Sequence, residues 1–75
     1  MANKQISFKP LFRLLVEKDM SFADLREATN IAASTMTIIR KHGAVHVNTI
    51  VRICNALDCD IADVIELVSS TGNDS

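Results

Sequence analysis

The sequence predicts an all-α fold, a compact domain of five short helices, and three observations predict it. Apolar residues recur three and four positions apart along most of the chain, which is the spacing of a helix buried on one face. Residues that start and stop helices separate these stretches. A length of 75 residues with 48% hydrophobic residues allows one modest core and excludes a multidomain enzyme.

The first helix is predicted from about Ser7 to Lys18, with Ser7 as its cap. Pro10 falls in its first turn, where the missing N–H of proline costs no hydrogen bond. The second helix begins after Ser21, a favourable N-cap, with Asp24 three residues later as a weaker form of the capping box. These local signals predict where both helices begin.

The pair Thr29-Asn30 predicts the end of the second helix, because asparagine tolerates the left-handed conformation of many helix ends. We expect Leu25 and Ala28 on its buried face. The third helix is predicted to end at His42-Gly43, and the fourth to run from about Val47 to Leu57, although VHVNTIV also reads as a short strand. The fifth begins after the cap Asp60, with Asp63 in its first turn, and buries Ile61, Val64, Ile65 and Val68. No sheet is predicted.

The domain boundaries follow from the same apolar spacing. We expect a single helix-turn-helix domain over residues 1–69, with the motif at 21–40, and a disordered polar tail over 70–75. The start of the chain, MANKQISFKP, has no apolar signal region, and no stretch approaches the roughly twenty apolar residues of a membrane span. The sequence therefore predicts a cytoplasmic protein with no membrane partner.

Charge is unevenly distributed, although the net charge is only −1. Residues 28–57 carry three bases and no acid, whereas residues 58–75 carry five acids and no base. One surface that meets phosphates while the far side faces water would produce this pattern. Ordinary variation of surface charge is the alternative.

The run SFADLREATNIAASTMTIIR, from Ser21 to Arg40, reads as two helices joined by a tight turn. Together with VNTIVRICNALDCDIADVIEL it resembles the lambda-repressor-like helix-turn-helix family, also called the Cro/repressor or xenobiotic-response-element (XRE) type. The resemblance covers about Pro10 to Leu67 and looks like a compact bacterial or phage subgroup. It implies a DNA-binding transcriptional regulator of the repressor type, whose helix 33–41 enters the major groove.

Carried over by position, the resemblance implies a set of DNA-contacting residues. Those at base edges would be Ala33, Ser34, Thr37 and Ile38, whereas Met36 and Ile39 point inward. Those at phosphates would be Ser21, Arg40, Lys41, His46, Asn48 and Thr49, partly through the free N–H groups of helix N-termini. Arg40 has a second interpretation, as a cation that stabilises the end of its helix.

The predicted reading face departs from the family pattern. None of its four residues is the Arg, Gln or Asn that makes bidentate base contacts, so specificity would depend on methyl contacts, DNA shape and phosphates. Ala32 stands where a capping Ser or Thr is usual, which weakens the helix start. Phe22 replaces a polar residue that often touches phosphate, and we interpret it as a packing residue.

Four side chains have the right chemistry for zinc: His42, His46, Cys54 and Cys59. Cys54 lies on a buried stripe, however, while both histidines map to the loop on the DNA side, so we predict no metal and no cofactor. The acids near the end are explained as caps and a solvated helix face. No nucleophile stands beside a base, so we predict no enzymatic activity and no small-molecule ligand.

Two functions remain open. The first is a regulator that binds double-stranded DNA as a homodimer, because a small motif with poor base contacts gains affinity from a second copy. The second is a helix-turn-helix fold used for protein binding, such as an antitoxin-like module, which the exposed Ile38 and the uncharged recognition face favour. Candidate residues of a dimer interface are Phe12, Val16 and Leu67.

Overall fold

The computed structural model describes residues 3–69, and the predicted disordered tail 70–75 lies outside the described residues. The described part holds four helices, a 3-10 helix and a two-stranded sheet. The elements in chain order are β1 (Lys4–Ser7), α1 (Lys9–Glu17), α2 (Phe22–Thr29), α3 (Ala33–Arg40), α4 (Val47–Leu57), the 3-10 helix (Ile61–Asp63) and β2 (Glu66–Ser69).

One hydrophobic core lies among the four helices, and most of the predicted apolar positions face it. Its buried members are Phe8, Leu11, Leu15, Leu25, Ile31, Met36, Ile39, Ile50, Ile53, Leu57 and Val64. The expectation for Ala28 is wrong, because Ala28 is exposed and Thr29 is buried in its place. The Thr29 hydroxyl donates to the carbonyl of Leu25 at 2.7 Å, which satisfies the one polar atom that this side chain buries.

The predicted fifth helix is wrong. Asp60 is the N-cap residue as predicted, and its N–H donates to the Asp63 carboxylate at 3.1 Å, but only a single 3-10 turn follows. The chain then extends as β2 and pairs antiparallel with β1, with Ile6 opposite Leu67. The β-branched residue Val68 suits an extended backbone that has a partner strand, and that partner comes from the other end of the chain.

The start of α1 also differs from the prediction. Phe8 is the N-cap residue, and Ser7 is buried at the end of β1, where its hydroxyl accepts a weak hydrogen bond from the N–H of Lys9 at 3.3 Å. Val64 links this end to the last segment, since its carbonyl accepts from the N–H of Leu11 at 3.2 Å. The sheet and the first turn of α1 therefore close the core together.

A left-handed residue lies within two positions after the end of each of the four helices. Asn30 takes this conformation after α2 as predicted, with φ of 57°. After α3 it is His42, with φ of 60°, and not Gly43 that adopts it. Gly43 serves a close approach, because a Cβ there would lie 2.7 Å from Cγ2 of Ile38. This tight turn directs the chain from α3 into α4.

Candidate nucleic-acid interface

The start of α2 is fixed by a reciprocal cap. The Ser21 hydroxyl accepts from the N–H of Asp24 at 3.1 Å, and the Asp24 carboxylate accepts from the N–H of Ser21 at 3.0 Å. The N–H of Ser21 is therefore bonded within the cap, and the free N–H groups predicted at this helix start belong to the residues that follow it. The N–H groups of the next residues, Phe22 and Ala23, remain at the positive end of the helix dipole.

The exposed face of α3 carries the four residues predicted to read bases: Ala33, Ser34, Thr37 and Ile38. Met36 and Ile39 are buried on the opposite side, as predicted. The Thr37 hydroxyl donates to the carbonyl of Ala33 at 3.2 Å, so its proton is directed along the helix and not outward. Ser34 is therefore the one hydroxyl of this face without a partner among residues 3–69.

No side chain caps the start of α3, where Ala32 has an extended backbone. The first N–H groups of the helix consequently have no protein side chain to bind, which leaves them for water or phosphate. This agrees with the sequence, which lacks a capping residue at that position.

The N-terminus of α4 lies beside the exposed face of α3. Ile38, His46 and Thr49 line one shallow depression of about 330 Å³, together with Thr35 and the connecting loop. His46 is the N-cap residue of α4, but its side chain makes no capping hydrogen bond, so the ring is available to a ligand. Asn48 is exposed in the same first turn.

The end of α3 carries Arg40 and Lys41, both exposed. The Arg40 guanidinium lies over the ring of Phe22, 4.6 Å from its centroid. Phe12 packs edge-on against the same ring at 5.4 Å. No carboxylate within residues 3–69 forms an ion pair with Arg40, so its charge is free to meet an anion.

Comparison with known proteins agrees with this geometry. The family model of the Cro/C1-type helix-turn-helix DNA-binding domain matches residues 1–70. The chain belongs to this family. Its structure is similar to the crystal structure of the transcriptional regulator VanUg, form II, with 31% sequence identity, 93% of each chain covered and a TM-score of 0.88. No curated protein matches the sequence.

Membership of the Cro/C1-type family confirms the resemblance stated from the sequence. It makes the chain a helix-turn-helix DNA-binding domain. The described residues, 3–69, contain no helix that is long and apolar enough to cross a membrane.

One basic residue beside the reading face of this Cro/C1-type domain was not predicted from the sequence. Arg26 of α2 lines a groove against α3, with Ala33, Thr37 and Arg40 on the other wall. Its position four residues after Phe22 is the signal that could have found it, since residues four apart share a helix face. Arg26 and Arg40 give this groove two cations.

The histidines of the Cro/C1-type domain do not share a site with the cysteines. His42 is turned inward, where its Nδ1 accepts a hydrogen bond from the N–H of Phe8 at 2.9 Å, so its predicted place on the DNA side is wrong. Within residues 3–69, no group of three or more candidate ligand side chains is close enough together to hold a metal ion.

The two cysteines are neighbours of each other. The N–H of Cys59 donates to the carbonyl of Cys54 at 3.0 Å, across the left-handed residue Asp58. This bond belongs to the turn that ends α4 and brings the two side chains together. Burial first, and then the neighbouring Cys54 thiol, raise the pKa of the Cys59 thiol to about 11. Cys59 is therefore a neutral thiol at physiological pH and a poor nucleophile.

Proposed function

We propose that this Cro/C1-type domain regulates transcription by inserting helix 33–41 into the major groove of double-stranded DNA, and that it does so as a homodimer. One observation carries the proposal. Three separate segments border two grooves: the start of α2 and α3 form one, and α3 and the start of α4 form the other. A reading helix flanked on both sides by anchoring groups is the arrangement that this family uses on DNA.

Phosphate contacts would supply most of the affinity. Arg40, Lys41 and Arg26 are exposed cations beside α3, and the uncapped N–H groups at the start of α3 and the ring of His46 add further donors. Because the segment from 28 to 57 contains no acid, none of its own side chains repels the DNA backbone. Such contacts position the protein but carry no sequence information themselves.

Base recognition would depend on small and apolar groups. Ser34 can donate to or accept from several base edges, whereas Ala33 and Ile38 can pack on thymine methyl groups. The Thr37 proton is already bonded within the helix, which leaves this hydroxyl as an acceptor. We therefore expect modest discrimination at each base pair and a site whose shape contributes to its recognition.

A second copy would raise both affinity and specificity, since two half-sites are then bound together. Of the interface candidates from the sequence, Val16 and Leu67 are 79% and 64% exposed, as an interface residue of a free protomer must be. Phe12 is half-buried and packs edge-on against Phe22. Exposed apolar residues of this size support self-association but do not select its geometry.

The decisive experiment measures affinity for duplex DNA as a function of salt concentration. We expect tight binding at low salt, and a double substitution Arg40→Glu with Lys41→Glu should weaken it at least tenfold. The slope of log affinity against log salt should fall by about 2, because each lost phosphate contact removes about 0.9.

The matched control reverses two exposed lysines outside the proposed surface, Lys4→Glu with Lys9→Glu, which changes the net charge equally. This control should keep most of the affinity. If both double variants lose the same amount, net charge and not the α3 surface governs binding. Selection of bound duplexes from a random pool would then report the half-site spacing, and recovered sites without two-fold symmetry would contradict a homodimer.

Protein binding is the second candidate, favoured by Ile38, which is 40% exposed at the centre of the α3 face. An apolar residue at that place serves a protein partner as well as it serves a thymine methyl group. No detectable binding to any duplex at low salt would favour this candidate over the first.

A further inference from the structure

A pocket of about 480 Å³ opens between α1, the start of α2 and the end of α3. Its apolar walls come from Phe12, Leu15, Val16, Met20 and Phe22, and Arg40 stands at its rim. Small-molecule sites have this size and composition, mostly apolar and aromatic with a few placed polar groups. The sequence did not indicate such a site, because the three segments that build it are far apart along the chain.

Val16 contributes to this pocket an apolar side chain that is largely in contact with water. Val16 lies in the last turn of α1 and is 79% exposed, the highest fraction among the large apolar residues described. Beside it, Phe12 and Met20 are only half-buried. An apolar molecule in the pocket would remove all three side chains from water at once.

Arg40 gives the pocket a charged end. Its guanidinium is held over Phe22 and has no carboxylate partner within residues 3–69. A planar guanidinium matches the two oxygens of a carboxylate, and its partly apolar surroundings strengthen the pairing. The chemistry that fits is therefore an apolar body with one carboxylate.

We propose that this pocket binds a small apolar monocarboxylate, whose body lies against Phe12, Val16 and Met20 and whose carboxylate pairs with Arg40. A neutral apolar molecule would satisfy the walls but leave the cation unpaired. An inorganic anion would pair with the cation but leave the walls in water. The occupied pocket holds Arg40 away from any other anion.

A consequence for regulation rests on the proposed function. If Arg40 contacts a DNA phosphate, the carboxylate competes for the same guanidinium, so the ligand weakens DNA binding. By linkage, DNA then weakens ligand binding by the same factor. The pocket would make the DNA-binding domain itself responsive to a small acid.

The first test is direct binding in the absence of DNA. The full chain is titrated with 2-naphthoate and, separately, with the neutral 2-naphthalenemethanol, while methyl and guanidinium resonances are followed by NMR. We expect saturable shifts at Val16, Met20 and Arg40, and naphthoate binding about fivefold tighter, which is the upper range for an exposed ion pair.

Two variants separate the two parts of the site. Arg40→Gln should remove the fivefold preference for naphthoate and leave binding of the neutral compound unchanged. Val16→Glu, at an exposed wall position, should weaken binding of both compounds, and binding of naphthoate more. The matched control is Val47→Glu, at a residue 69% exposed on α4, which should change neither.

Shifts that do not saturate at millimolar concentrations, or a preference that persists in Arg40→Gln, would overturn the proposal. The second test adds duplex DNA: naphthoate should lower DNA affinity in the parent chain but not in Arg40→Gln. Saturable ligand binding with unchanged DNA affinity would keep the pocket and contradict the competition. Failure to bind DNA at all would contradict the proposed function, while the direct titration still decides the pocket.

Discussion

The backbone N–H of Phe8 donates a hydrogen bond to Nδ1 of His42, at 2.9 Å and across 34 residues of sequence. Because Nδ1 is the acceptor, the neutral His42 ring carries its proton on Nε2. The ring also packs edge-on against Phe12, with centroids 5.2 Å apart. The end of α3 is thereby joined to the first turn of α1.

His42→Ala should lower the free energy of unfolding by about 1–3 kcal/mol, because the N–H of the buried Phe8 is left without its acceptor. Urea denaturation measures this. His42→Asn should cost less, since asparagine tolerates the left-handed backbone of this position. The control His46→Ala, at the exposed histidine, should change stability little, and equal losses in His42→Ala and His46→Ala would contradict a specific role for the bond.

Gly43→Ala should destabilise the protein by about 1–3 kcal/mol, because the added Cβ would lie 2.7 Å from Cγ2 of Ile38. A β-branched side chain in a helix has essentially one rotamer, so Ile38 cannot turn away. Shortening it by Ile38→Ala should itself cost little, since Ile38 is 40% exposed, and should restore stability to Gly43→Ala. Additive losses in the double variant would show that the clash is not the cause.

Phe22→Leu should weaken DNA binding about two- to fivefold while leaving the salt dependence unchanged. The leucine keeps an apolar side chain beside Phe12 but removes the ring under Arg40, a contact worth about 0.5–1 kcal/mol at an exposed site. Phe22→Tyr retains the ring and should behave like the parent chain. A smaller salt slope in Phe22→Leu would indicate that Arg40 had left its phosphate altogether.

The Cys59 thiol should ionise at about pH 11, against an ordinary pKa of 9.0, chiefly because burial disfavours the thiolate. Thiolate absorbance at 240 nm follows the ionisation of both thiols without interference from tyrosine, which the chain lacks, and comparison with Cys59→Ser isolates the part due to Cys59. Cys54→Ser should lower the pKa of Cys59 by removing the neighbouring thiol.

The same shift predicts how stability depends on pH. Between pH 9 and 11 the unfolded chain loses the Cys59 proton and the folded chain keeps it, so the free energy of unfolding falls as pH rises. Well below pH 9 the thiol is neutral in both the folded and the unfolded state, so it does not make the free energy of unfolding depend on pH. In Cys59→Ser the free energy of unfolding should fall less between pH 9 and 11. An identical fall would contradict the assignment of this pH dependence to Cys59.

Helices α1 to α4 could be predicted because their signals are local. Pro10 marks a first turn, Ser21 with Asp24 a capping box, and Asn30 a left-handed stop, and each acts within four residues of its own position. The prediction of a fifth helix failed because the apolar spacing of Ile61 to Val68 is compatible with either a helix or a turn followed by a strand. Only the pairing with Lys4–Ser7 decides between them, and no local pattern reports it.

The candidate site was likewise predictable only where its signals are local. The exposed face of α3 follows from helical spacing around Met36 and Ile39, which local sequence encodes. The direction of the His42 ring cannot be predicted from local sequence, because it depends on a left-handed backbone and on the N–H of Phe8, which belongs to another element. The stacking of Arg40 on Phe22 likewise joins two helices and becomes visible only once they are packed.

The pairing of β1 with β2 has a consequence for synthesis on the ribosome. Lys4 leaves the exit tunnel among the first residues of the described chain, and its partner Ser69 is the last of them. Until β2 emerges, the N–H and C=O groups of β1 that pair with it have no partner strand. A nascent chain stalled within α4 therefore exposes a lone strand, which is an open edge for another chain.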